Sequence, residues 1–111
     1  MLSLSENERN WLEQYRQAIN ARHPGKVVRI AIFGSKARGD SHKYSDVDVL
    51  VIVNDDSVKL KMSLQKIGCK LASNSLVLPG IVVYPEAQWE ELKRFGSAFH
   101  ESVEHEAVAV Q

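Results

Sequence analysis

The sequence predicts an α+β domain: a small mixed β-sheet with helices packed on one face. Three observations carry this. Two β-branched runs, residues 26–33 and 46–53, stand among stretches whose apolar residues recur at helical spacing. The resulting order of helix, strand, strand, helix, strand, strand, helices suits one sheet covered by helices. Finally, 111 residues with 44% hydrophobic side chains suffice for a single domain, 1–111, with one core.

Ser5-Glu6-Asn7-Glu8 reads as a capping box, with Leu4 placed to staple the helix entry. Trp11, Leu12, Tyr15, Ala18 and Ile19 then form one apolar face, and His23-Pro24-Gly25 ends the helix. "KVVRIAIF" is the first strand, and Gly34-Ser35 ends it. A short helix over 36–38, a polar loop and a second strand over 46–53 follow. Leu60, Leu64, Ile67 and Leu71 mark a second long helix over 57–72. Residues 76–78 and 81–84 are short strand candidates interrupted by Pro79-Gly80. Pro85 suits the first position of a third helix carrying Trp89, Leu92 and Phe95. Gly96 breaks it, and Phe99, Val103 and Ala107 suggest a last, weaker helix.

The chain carries 14 basic and 14 acidic side chains, so nothing in its charge argues for direct nucleic-acid binding. No apolar run approaches the roughly 20 residues that span a bilayer. The start "MLSLSENERN" lacks the pattern of a signal peptide. A lone Cys69, within a helical pattern, reads as a small core residue and fits a reducing compartment. A cytoplasmic location is the expectation.

The chemistry concentrates in "GSKARGDSHKYSDVDVLV". Residues two apart on a strand share a face, so Asp46 and Asp48 project side by side. Two adjacent carboxylates repel unless a cation lies between them. Mg²⁺ is commonly held by one or two carboxylates together with substrate phosphates. Gly34 would let a phosphate approach the backbone, and Ser35 offers a hydroxyl. If a helix opens at Lys36, its N–H groups face the same anion, and Lys36 and Arg38 add positive charge.

This string resembles the signature of the minimal nucleotidyltransferase domain, a branch of the DNA polymerase β-like nucleotidyltransferase superfamily. The matching positions are Gly34, Ser35, Ala37, Arg38, Gly39, Ser45, Asp46 and Asp48. The tail "RFGSAFHESVEHEAVAV" is similar to the closing stretch of small family members, an aromatic-containing helix before an acidic residue and an apolar end. The resemblance implies the polymerase β-like fold and nucleotidyl transfer. Gly34, Ser35, Lys36 and Arg38 would bind the triphosphate of ATP, and Asp46 and Asp48 would hold Mg²⁺ as the catalytic pair. It also implies a partner. Such domains are often antitoxins beside a HEPN-domain toxin, transferring AMP to a tyrosine of that toxin. A catalytically inactive module that neutralises its partner by occlusion is the alternative. Transfer to an aminoglycoside-like small molecule fits less well without a second domain to form its pocket.

Active members of the family that this string resembles commonly carry a third carboxylate on a later strand. Neither late strand candidate here contains an acid, and Glu86, just beyond, is the nearest. Asp40 reads as a loop residue. His23, His42, His100 and His105 lack ligand spacing and read as surface residues. Trp11 and Trp89 read as core or interface aromatics, and Tyr44 as a base-stacking or loop-rim residue. In the structural reading of the aspartates, Lys43 and Arg38 would be their ion-pair partners.

Overall fold

The structure, a computed structural model, describes residues 2–40 and 45–111. The expected roles of His42, Lys43 and Tyr44 therefore lie outside the described residues.

Helix α1 (Glu6–Arg22) starts at the capping box: Ser5 Oγ accepts from the Glu8 N–H, and Glu8 Oε1 accepts from the Ser5 N–H. Strand β1 (Val27–Phe33) leads into the single-turn helix α2 (Ser35–Arg38), and β2 (Val47–Val53) follows. Helix α3 (Val58–Ala72) is capped by Ser57 and precedes β3 (Pro79–Pro85). Helices α4 (Glu86–Arg94) and α5 (Ala98–Glu106) are followed by a two-residue strand, β4 (Val108–Ala109).

The sheet order is β3-β2-β1-β4. β1 is antiparallel to both β2 and β4, whereas β2 and β3 are parallel, with α3 as their crossover. The mixed sheet is as expected, but helices lie on both faces. Val47, Val49, Val51 and Val53 face α1 and α3, packing with Trp11, Tyr15, Ile19 and Leu64. The alternate residues Leu50 and Ile52 pack with Trp89 of α4 and Val103 of α5. Burial on both faces explains why β2 reads as an almost unbroken apolar run.

Two long-range bonds join α1 to α3: Trp11 Nε1 donates to Gly68 O at 3.0 Å, and Tyr15 Oη donates to Leu64 O at 2.9 Å. Burial pushes the Tyr15 phenol well above its usual range. Gly68 permits this approach, since a Cβ there would crowd Tyr15 Cε1 of α1 at 3.1 Å as well as the Ile81 side chain of β3.

Several expectations are corrected. Residues 76–78 precede the strand, and Pro79-Gly80 open it instead of interrupting it. Proline is tolerated at the first residue of a strand, where its missing N–H costs least. Pro85 occupies the N-cap of α4 and not its first turn. Cys69 is exposed on α3. His100 is buried, with its ring 4.7 Å from that of Trp89. Trp11 and Trp89 are core residues.

Candidate functional site

The β1–β2 antiparallel register pairs Phe33 with Asp48, so the Gly34 turn leaving β1 meets the aspartates entering β2. Gly34 is the N-cap of α2 and has φ 75° and ψ −157°, a conformation that favours glycine. A Cβ at Gly34 would stand 2.2 Å from Asp48 Oδ2. On the other side, β3 pairs Gly80 with Asp48, and a Cβ at Gly80 would stand 2.8 Å from Asp48 Oδ1. The Asp48 carboxylate thus sits between two glycines, each of which makes room for one oxygen.

Asp46 is exposed immediately before β2, where the Val47 N–H donates to Leu78 O at 2.8 Å. Asp48 is partly buried. Burial raises its carboxyl above the usual range, and the charges of Asp46 and Glu106 add to this while Arg38 opposes it. The site therefore concentrates negative charge around one desolvated carboxylate. Such a donor set fits a hard divalent cation, which relieves the repulsion.

The structure separates the four residues expected to bind phosphate. Gly34, Ser35 and Arg38 remain beside the aspartates. Ser35 opens α2, in which the Ala37 and Arg38 N–H groups already donate to Gly34 O, each at 3.1 Å. Arg38 lies at its end, bonded to Asp40 Oδ2 through Nε (3.1 Å) and to Glu106 Oε2 through Nη1 (3.0 Å). Lys36 does not share this position. Its ammonium is buried against Glu8 Oε2 of α1 at 3.0 Å, with side-chain exposures of 7% and 10%, so it ties α2 to α1. A one-turn helix must bury one face, and Lys36 lies on it.

Glu86 is an exposed carboxylate in the first turn of α4 and does not supply a third acid to the site. Because β3 runs parallel to β2, Gly80 neighbours Asp48 while Pro85 neighbours Val53. Glu86 follows Pro85 at the far end of the sheet, roughly 20 Å along the strand at about 3.3 Å per residue. The acid that does reach the site is Glu106, the last residue of α5, whose Oε1 accepts from the Gly34 N–H at 2.8 Å. The sequence signal was the acidic residue before the apolar tail. Its destination depends on β4 pairing with β1, Val108 with Ile32.

Among the described residues, no group of three or more His, Cys, Asp or Glu side chains is arranged to hold a metal ion by itself. No helix among them is long and apolar enough to cross a membrane.

A family model described as nucleotidyltransferase domain matches residues 12–104. Two proteins of Methanocaldococcus jannaschii named as protein adenylyltransferases are similar to the chain. One is 28% identical over 99 residues, covering 87% of this chain and 91% of the relative. The other is 29% identical over 100 residues, covering 89% and 94%. Among solved structures, a nucleotidyltransferase from Sulfolobus solfataricus has TM-score 0.57 and 18% identity over 90% of this chain and 76% of that one. A toxin–antitoxin structure with AMP-PNP has TM-score 0.57 and 20% identity over 89% and 72%. At these identities the structural likeness speaks for the fold. The family match spans most of the chain and contains the Gly34 turn and both aspartates: the chain belongs to the nucleotidyltransferase domain family.

Proposed function

We propose that this chain is one catalytic unit, a Mg²⁺-dependent protein adenylyltransferase acting in the cytoplasm. It uses ATP to modify a tyrosine of a HEPN-type toxin partner. The observation that carries the reading is the Asp48 carboxylate, set between Gly34 and Gly80 beside Asp46 at the mouth of the phosphate turn. Support for ATP and for a toxin partner comes from the AMP-PNP-bound toxin–antitoxin relative in fold. The two adenylyltransferase-named relatives support a protein acceptor.

Asp46 and Asp48 would hold Mg²⁺, which when bound supplies charge neutralisation at the triphosphate. The Gly34-Ser35 turn and Arg38 receive the phosphates and keep the α-phosphorus open to in-line approach. The tyrosine oxygen forms the new bond to that phosphorus, the bond to the β-phosphate oxygen breaks, and pyrophosphate leaves. The phenolic proton passes to solvent. This chain's contribution is positioning and electrostatic preorganisation.

One observation favours the second reading, a binding module acting by occlusion: β3 carries no carboxylate, and Gly80 is its residue beside Asp48. Incubation of both proteins with ATP and Mg²⁺ separates the two. The transferase reading expects the intact mass of the partner to rise by one adenylate on a tyrosine, and expects Asp46→Asn/Asp48→Asn to prevent it. A stable complex without modification supports occlusion.

A further inference from the structure

The turn that would receive triphosphate belongs to a helix of only four residues, Ser35–Arg38. One helical turn does not hold itself in water, because its nucleation cost is never repaid by propagation. Its shape must be imposed by neighbours, and two carboxylates from remote helices do this. Glu8 of α1 grips Lys36 on the buried side. Glu106 of α5 grips the other side with both oxygens: Oε1 accepts from the Gly34 N–H at 2.8 Å, and Oε2 accepts from Arg38 Nη1 at 3.0 Å.

Three features distinguish the Glu106 contact from an incidental surface pair. Its side chain is only 17% exposed although that of Arg38 is 48% exposed, and both bonds are charge-assisted because the acceptor is a carboxylate. Glu106 is also the last residue of α5, where the helix dipole disfavours a carboxylate. Its placement therefore does not serve α5. Finally, the backbone that it holds is Gly34, whose φ of 75° is the unusual conformation from which α2 starts. Delivery depends on β4: pairing of Val108 with Ile32 sets the end of α5 beside the end of β1.

We infer that Glu106 is a positioning residue, bridging the Gly34 N–H and the Arg38 guanidinium so that turn and cation face the triphosphate together. The inference rests on the nucleotidyltransferase reading for its ligand, but the bridge itself is tested without one. The opposite role for the same contacts is competition, in which the Glu106 carboxylate occupies donors that phosphate would otherwise take.

Two variants of the full chain separate these roles, Glu106→Gln and Glu106→Ala, each first compared with wild type by circular dichroism. The glutamine carbonyl can still accept from the Gly34 N–H, while its amide N–H groups oppose Arg38. Positioning expects Glu106→Gln to leave amide exchange at Gly34 near wild type and to weaken Mg·ATP binding by about tenfold. It expects Glu106→Ala to weaken binding further and to speed Gly34 exchange by about tenfold or more. Binding equal to or tighter than wild type in either variant overturns positioning, as does unchanged Gly34 exchange in Glu106→Ala. If the wild-type chain binds no nucleoside triphosphate, the nucleotidyltransferase reading fails. The Gly34 exchange comparison then still decides whether Glu106 holds the turn. Should Glu106→Ala not fold, the glutamine variant alone decides through binding.

Discussion

Gly80→Ala adds one carbon atom and asks whether the placement of Asp48 sets the activity. Gly80 has no positive φ, so alanine meets no backbone strain there and should reduce the entropy of the unfolded chain. The cost is steric and local. The new Cβ would lie 2.8 Å from Asp48 Oδ1, where ordinary contact begins at 3.4 Å. The carboxylate must therefore move by about 0.6 Å, beyond the ~0.5 Å within which a catalytic constellation keeps its productive geometry. Retreat is hindered because Oδ2 lies against Gly34, whose own Cβ position is 2.2 Å away. The next neighbours of the new methyl group, Asp48 Cγ and Val47 O, are both 3.9 Å away, so the rest of the strand is undisturbed. We expect the rate of adenylate transfer to fall by about 10- to 100-fold. Stability in urea should change by less than about 1 kcal/mol. Transfer rate and urea midpoint are measured on the same preparation. Wild-type activity in a folded Gly80→Ala protein would refute the claim that Asp48 is held to its working position by the two glycines.

Three further outcomes follow from the same geometry. Lys36→Met keeps the alkyl volume but leaves Glu8 buried without its partner, so urea unfolding should register a loss of about 3 kcal/mol. The KM for ATP should rise together with that loss of stability, because the same ion pair holds α2 in shape, and a raised KM at unchanged stability would return the Lys36 ammonium to the phosphates. Asp48→Asn should raise the Tm of the metal-free protein, because the raised carboxyl of Asp48 costs folding energy as pH rises through its titration. Mg²⁺ should then raise the Tm of wild type and not of the variant, and equal shifts would place the ion elsewhere. Glu104 is held below the usual carboxylate range, first by its hydrogen bond from Arg29 and also by that from Trp89. Its contribution is present above the unfolded carboxylate range and is lost as pH falls through the lowered one. Glu104→Gln should therefore flatten the acid side of the Tm–pH curve, and an unchanged curve would exclude this network as its source.

Local chemistry made much of the fold legible in the sequence. The Ser5–Glu8 capping box and the helical spacing of Trp11, Tyr15 and Ile19 act within a few residues of chain. The motif also located Gly34, Ser35, Arg38, Asp46 and Asp48, because it joins two strands that are neighbours in both sequence and sheet. What was missed depends on distant partners. Lys36 reads as a phosphate ligand until Glu8 claims it from 28 positions earlier. Pro79-Gly80 reads as a break because only parallel pairing with β2 shows why glycine stands beside Asp48. Glu86 looked close to the site because it follows β3, but strand direction sends it to the opposite end. Glu106 reaches Gly34 across 72 positions through a two-residue strand too short to predict.

The most direct test of the central claim uses two preparations of ATP, one labelled at the α-phosphate and the other at the γ-phosphate. Each is incubated with Mg²⁺, this protein and the product of its neighbouring gene. Nucleotidyl transfer predicts that the α-label alone becomes attached to the partner, and that Asp46→Asn/Asp48→Asn prevents it. Transfer of the γ-label, or no label on a partner that binds stably, would contradict the account.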